Sequence, residues 1–417
     1  MNSSTLSPST ALRVAPAAAR TTLRLLQRLR HGSLTVQLPD GSMQVFGNLS
    51  NGLNAPQLSA SMTLRNWNVC QAALRSGDVG FAESYIAGDW STPNLTDLLK
   101  LLIANRAEVE AVIYGNWVGR ALLRVRHWMN RNTRANSRKN IHAHSDLGND
   151  FYRLWLDETM NYSAAWFDGD QTSAIPAAQA AKVRRALQMV NLQPGQRVLE
   201  IGCGWGALAE MAVTQFKANL TGVTLSTEQL AFAKQRLQAL TDTADAVAVA
   251  DLRLQDYRDI DDGPYDAVCS IEMVEAVGQA YWPTYFGAVS RLLKPGGRAC
   301  IQSIVIHDTL FDRYIHSTDF IQQYIFPGGC LPSPSRFREA AGRAGLRVVD
   351  ELHFGADYAE TLRRWRKAFL QRRAEVLRLG FDERFMHIWE FYLAYCEAAF
   401  EMDNINVVQF TLERTDP

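Results

Sequence analysis

The stretch RVLEIGCGWG at 197–206 constrains this chain more than any other. Val198, Leu199 and Ile201 predict a buried strand. Gly202, Gly204 and Gly206 predict a tight turn, and Ala207 to Met211 continue as a helix. Strand, glycine turn and helix make a cradle for a nucleotide, because glycine presents no Cβ to an approaching ligand. Glu200 opens an E-x-G-x-G-x-G spacing. Gly202, Gly204 and Ala207 also fit the G-x-G-x-x-G/A pattern of a nicotinamide dinucleotide site. That ligand needs an acidic residue after the second strand to hold its ribose. The second strand here, NLTGVTLS, ends in Thr224 and Ser226 without a carboxylate. The loop therefore favours S-adenosylmethionine, with its methionine end along the glycine backbone.

From about residue 175 the chain alternates helix and strand. Strands are predicted at 197–201, 219–225, 246–250, 265–271 and 298–306, with helices at 207–216, 227–240 and 281–293. Such alternation implies a Rossmann-like α/β sheet with helices on both faces. Late strands follow at 346–354 and 407–414. Upstream, 33–110 reads as a small α+β domain. LTVQLPDGSMQVFG is a hairpin turning at Pro39-Asp40-Gly41, SASMTLRN is a further strand, and helices are predicted near 67–76 and 94–105. This part is distantly similar to lipid-binding domains of the sterol-carrier type.

The formal net charge is zero, so no global field draws the chain to nucleic acid. Local charge is uneven. Residues 1–32 carry Arg13, Arg20, Arg24, Arg28 and Arg30 and no acid. They read as a disordered start followed by a short amphipathic helix on Leu23, Leu25, Leu26 and Leu29; an organelle transit peptide is the alternative. Residues 111–145 also lack acids and interleave Arg120, Arg124 and Arg126 with Trp117, Leu122 and Trp128. This stretch is either a solvated linker or an interfacial helix meeting an anionic membrane surface. The six cysteines form no C-x-x-C pair, which argues for reduced thiols in a cytoplasmic setting and against a metal site. No apolar run approaches the ~20 residues of a spanning helix. The expected location is cytoplasmic, with peripheral attachment to membrane.

From about residue 140 onward the chain resembles the cyclopropane-fatty-acid synthases, including the mycolic acid cyclopropane synthases. The blocks that carry the resemblance are HSDLGNDFYRLWLDETMNYSAAWF, VLEIGCGWG, GVTLSTEQ, RLQDYRD, YDAVCSIEMVEAVG, LLKPGG, YIFPGGCLPS and FGADYAETLRRW. The resemblance implies a class I methyltransferase domain over 146–417, with the last strand, 407–414, inserted antiparallel. It implies methyl transfer from S-adenosylmethionine to the double bond of an unsaturated acyl chain, usually within a membrane phospholipid. Tyr162, Ser163, the loop from Glu200 to Gly206, Thr224, Ser226, Gln229, Gln255 and Asp256 match cofactor-contacting positions. Thr224 and Ser226 would alternatively cap the following helix, and Gln255 with Asp256 would form a solvated turn.

The resemblance also implies a bicarbonate ion as the base, in a pocket matching Glu275, Tyr358, Ile304, Gln302 and Ala164. Ala164 stands where a Cys is usual, and Gln302 where a His is common. Ala276 replaces the His that often follows the Glu. Cys396 matches a family Cys once regarded as a nucleophile, but its apolar helix pattern reads as a packed thiol. An alkene is a weak nucleophile, so positioning carries much of the rate. The transfer leaves a cation on the chain, and which proton then leaves decides between a cyclopropane and an open methyl-branched or methylene chain. A cyclopropane is the leading expectation and the open chain its rival. A lipid-binding protein with a vestigial methyltransferase domain is the alternative of another class. A homodimer is the protein partner considered.

Overall fold

Alternating side chains build the main sheet. β5 (Arg197–Ile201) sends Val198 into one apolar cluster and Leu199 and Ile201 into another, so both faces are covered. Around it lie β6 (Asn219–Thr224), β7 (Ala250–Leu254), β8 (Tyr265–Ile271), β9 (Leu293–Ile306), β10 (Leu346–His353) and β11 (Ile405–Arg414). The order is β10-β11-β9-β8-β5-β6-β7. β11 runs antiparallel to both β9 and β10, and the strands from β9 to β7 are mutually parallel. This is the Rossmann-like methyltransferase sheet expected from the sequence. The chain leaves β5 toward β6 and β7, then returns to β8 on the other side. That reversal opens a crevice beyond the carboxyl ends of β5 and β8, where such sheets bind ligands.

The computed structural model describes residues 15–47, 58–109, 147–241 and 248–415. The first fourteen residues and the basic stretch 111–145 lie outside them. Within the described chain the basic helix is present at Ala17–Leu26, burying Ala19 and Leu23. β7 is displaced from the expected 246–250. Leu220 to Thr224 pair with Ala250 to Leu254, and only Leu252 in this edge strand is buried. One buried side chain sufficed, so the apolar run upstream was a poor guide to register.

The hairpin forms between β1 (Ser33–Gln37) and β2 (Met43–Gly47), with Ser42 N–H donating to Asp40 at 2.9 Å in the turn. β3 (Ser59–Leu64) joins β1 in parallel, and β4 (Trp90–Ser91) completes a four-stranded sheet. Helix Asn68–Ile86 passes the expected end at 76 by kinking at Gly77, φ +63°. Compactness divides the chain differently from the contiguous boundaries 33–110 and 146–417. The first unit also takes in 316–325 and 377–402. There helix Glu383–Glu401 packs along helix Leu95–Ala104, with Thr96 donating to Glu397 at 3.1 Å and Lys100 paired with Glu401 at 2.6 Å.

Candidate functional site

The turn after β5 is tied to β6 by the N–H groups of Gly202 and Cys203, both donating to Val223 O at 3.0 Å. Gly204 adopts φ +48°, and a Cβ built there would meet nothing within 4 Å. It opens on a cavity of about 320 Å³. Gly206 has another role: a Cβ there would lie 2.9 Å from Ala233 Cβ, so glycine lets the flanking helices close. Tyr162, Ser163, Glu200, Gly202, Thr224, Gln229, Gln255 and Asp256 all line the cavity.

Their partners show what each can still do. Glu200 is buried, burial pushes its carboxyl up to about 8, and its Oε2 accepts no hydrogen bond among the described residues. A buried acceptor with an unmet lone pair suits a donor on a ligand. Tyr162 stands in an aromatic wall with Tyr152, Trp155 and Trp365, at ring separations of 5.4, 5.5 and 5.7 Å. Ser163 Oγ contacts Lys182 Nζ at 2.5 Å. Thr224 Oγ1 donates to Gln229 at 3.2 Å. Gln255 donates to Asp259 O at 2.9 Å, and Asp256 holds Arg258 through both oxygens.

Ser226 is corrected. Its Oγ accepts from Gln229 N–H at 3.2 Å at the start of helix Thr227–Thr241, and it does not line the cavity. The helix-capping alternative describes it. The open cradle, the aromatic wall and the orphaned Glu200 oxygen fit S-adenosylmethionine, which Tyr162, Ser163, Glu200, Gly202, Gly204, Thr224, Gln229 and Asp256 would hold.

The expected anion pocket holds something else. Ala164 N–H donates to Glu272 Oε1 at 2.8 Å, and Gln302 Nε2 donates to the same oxygen at 2.7 Å. Tyr358 OH donates to Glu272 Oε2 at 2.7 Å. Glu275 is turned aside. Its Oε1 accepts from Ile304 N–H at 2.5 Å, and its Oε2 is buried with no partner among the described residues. Burial and the neighbouring Glu272 push Glu275 up to about 8. The pocket therefore does not fit a bicarbonate: four of its five expected contributors already spend their donors on protein carboxylates, and the fifth is Glu275 itself. Cys396 also departs from the catalytic set. It lies on helix Glu383–Glu401 in the other compact unit, burial pushes its thiol up, and it does not line the cavity.

Three functional residues were missed by reading the sequence. Glu272 has a signal only in hindsight, as a second glutamate in the apolar block DAVCSIEMVEAVG. Lys182 is fully buried on helix Ile175–Met189, lines the cavity, and is pulled down to about 8 by burial, against the opposing pull of Glu272, Asp157 and Glu200. Its position four residues from Ala178 and Ala186 on the buried face was the available clue. Gln409 on β11 donates to Gln302 Oε1 at 3.0 Å and accepts from Arg185 at 2.8 Å, which fixes the way the Gln302 amide faces.

Residues 132–410 match the sequence model of the family described as mycolic acid cyclopropane synthetase. The tuberculostearic acid methyltransferase UfaA1 of Mycobacterium tuberculosis is 40% identical over 425 residues, covering 97% of this chain and 93% of that one. The cyclopropane-fatty-acyl-phospholipid synthase of Escherichia coli K12 is 33% identical over 85% of this chain and 88% of its own. Among solved structures, mycolic acid cyclopropane synthase CmaA1, complexed with SAH and CTAB, superposes with a TM-score of 0.60 at 32% identity, covering 66% of this chain and 98% of that one.

Proposed function

Because this chain belongs to the mycolic acid cyclopropane synthetase family of S-adenosylmethionine-dependent methyltransferases, we propose that it methylates the double bond of unsaturated acyl chains in membrane phospholipids. The observation that carries this reading is one cavity that joins the open glycine cradle to a protein carboxylate, Glu272, with apolar and aromatic walls between them. S-adenosylmethionine would supply there a methyl group on a positively charged sulfur. The chain's own residues do the rest. Tyr152, Met160, Tyr162, Val223, Ile271 and Phe326 give an acyl chain an apolar surface and exclude water from the cation left on it. Lys182 balances charge beside Glu200 and Glu272.

Two products are in play, a cyclopropane and an open methyl-branched or methylene chain. We place the open chain first. A relative that covers 97% of this chain is named a tuberculostearic acid methyltransferase, not a cyclopropane synthase. The cyclopropane reading keeps the support of the Escherichia coli relative. Both products gain one CH2, so mass alone does not separate them. Incubation with unsaturated phospholipid and S-adenosylmethionine should add that CH2, and proton NMR should show olefinic signals without the high-field protons of a cyclopropane. Ring protons would restore the cyclopropane reading, and an unchanged lipid with cofactor bound would overturn the substrate.

We also propose that the basic stretch 111–145 brings the enzyme to anionic lipid. No helix among the described residues is long and apolar enough to cross a membrane. Replacing Arg120, Arg124 and Arg126 with Gln should weaken sedimentation with anionic vesicles by about 1 kcal/mol per residue at low salt. Equal binding by the triple variant would make the stretch a linker.

A further inference from the structure

We infer that the Glu272 carboxylate occupies the place of a bound anion and is itself the base that takes the proton after methyl transfer. The inference rests on the methyl-transfer reading above. Glu272 directly follows β8, at the crevice, and it lines the cavity. Its two oxygens gather three donors from separate parts of the fold: Ala164 N–H, Gln302 Nε2 and Tyr358 OH, at 2.8, 2.7 and 2.7 Å. Donors of that number and closeness would hold a small oxyanion in the same spot. Here they hold a side chain instead, and orient it. Gln302 is itself held by Gln409, which Arg185 fixes.

The backbone adds an independent observation. Glu272 sits at φ +51°, where any residue with a Cβ is strained and glycine is at ease. Its N–H donates to Gln302 O at 2.8 Å, so the conformation is imposed by the sheet. A side chain kept where glycine would cost less is kept for what it does. Glu275 behaves differently. It faces the Ile304 N–H and does not line the cavity.

The proton step balances without a further reactant. After the transfer the acyl chain carries one positive charge. One C–H bond breaks. Where it lies beside the cationic carbon, its electron pair becomes the second bond of a carbon–carbon double bond in the open product; in a cyclopropane the pair becomes the closing bond of the ring. The proton goes to a Glu272 oxygen. The carboxylate becomes a neutral acid and the chain becomes neutral product. The proton leaves to solvent when the product does.

Three preparations test this: wild type, Glu272→Gln and Glu272→Gly. Wild type should keep its full turnover in buffer stripped of bicarbonate. Glu272→Gln keeps the shape but loses the base, so turnover should fall by about 10²–10⁴-fold, with S-adenosylmethionine affinity nearly unchanged. Glu272→Gly relaxes the backbone and frees the three donors. It should bind isotope-labelled bicarbonate, seen as line broadening in the NMR spectrum, and regain activity as bicarbonate is added. Wild type should bind none. The inference is overturned by bicarbonate-dependent turnover in wild type, by an active Glu272→Gln, by labelled bicarbonate binding to wild type, or by a Glu272→Gly protein that binds no more of it than wild type. If wild type binds cofactor and leaves unsaturated phospholipid untouched, the methyl-transfer reading fails instead, and the labelled-bicarbonate comparison still decides the role of the pocket.

Discussion

A Gly204→Val protein is expected to fold and to bind no measurable S-adenosylmethionine. Gly204 holds φ +48°, so a branched side chain is strained there by about 1–3 kcal/mol. That cost is tolerable for a domain of this size. The larger effect is steric. Nothing lies within 4 Å of a Cβ at this position, so the two methyl groups of valine extend into the cavity that the cofactor must fill. An affinity loss of at least about 100-fold, near 2.7 kcal/mol, follows by calorimetric titration. Gly204→Ala should lose less, because one methyl intrudes less than three carbons. Wild-type affinity in the valine variant would remove the loop from the cofactor site.

Lys182→Met should lower the stability of the protein strongly. The ammonium is fully buried, donates to Ser163 Oγ and Asn161 Oδ1, and is the cation that opposes Glu200 and Glu272. Methionine fills the volume but leaves two buried carboxyls without a counter-charge. Breaking a buried charged set in this way costs about 3–5 kcal/mol, read as a lower urea midpoint with an unchanged slope. The same titration carries a pH signature. Burial lowers the lysine from its ordinary 10.5 to about 8 in the folded protein. Between those values the unfolded chain binds more protons than the native one, so this group makes wild type gain stability as pH rises from about 8 to 10.5. The methionine variant should lack that gain. An unchanged midpoint and pH profile would show that Lys182 is solvated.

Much of the candidate cofactor site could be read from residues alone, because its signals are local. Gly202, Gly204 and Gly206 mark a turn that needs positive φ, and the apolar strand before them and helix after them complete a pattern ten residues long. Tyr162, Ser163, Gln229, Gln255 and Asp256 came from the family blocks and do line the cavity. Ser226 illustrates the limit of that method: a polar residue after a strand serves a helix cap as readily as a ligand, and only its bond to Gln229 N–H decides.

The base was not legible in the same way. Glu272 and Glu275 are both carboxylates in one apolar block, three residues apart. Which of them collects the donors depends on partners 108, 30 and 86 residues away in the chain. Lys182 was not singled out in the sequence, and its spacing from Ala178 and Ala186 gives only its helix face, not that its ammonium is fully buried. Helix Glu383–Glu401 reads as part of the methyltransferase domain, yet it packs in the other unit.

Periodicity, glycine placement and strand–helix alternation determined by themselves the parallel sheet and the cradle after β5, since each depends on backbone preferences within a short window; the antiparallel last strand came only with the family resemblance. The tertiary structure alone decided which buried carboxylate collects the donors and which faces the cavity. Those properties belong to distances between segments, and a buried charge takes its state from neighbours that the chain brings together only on folding.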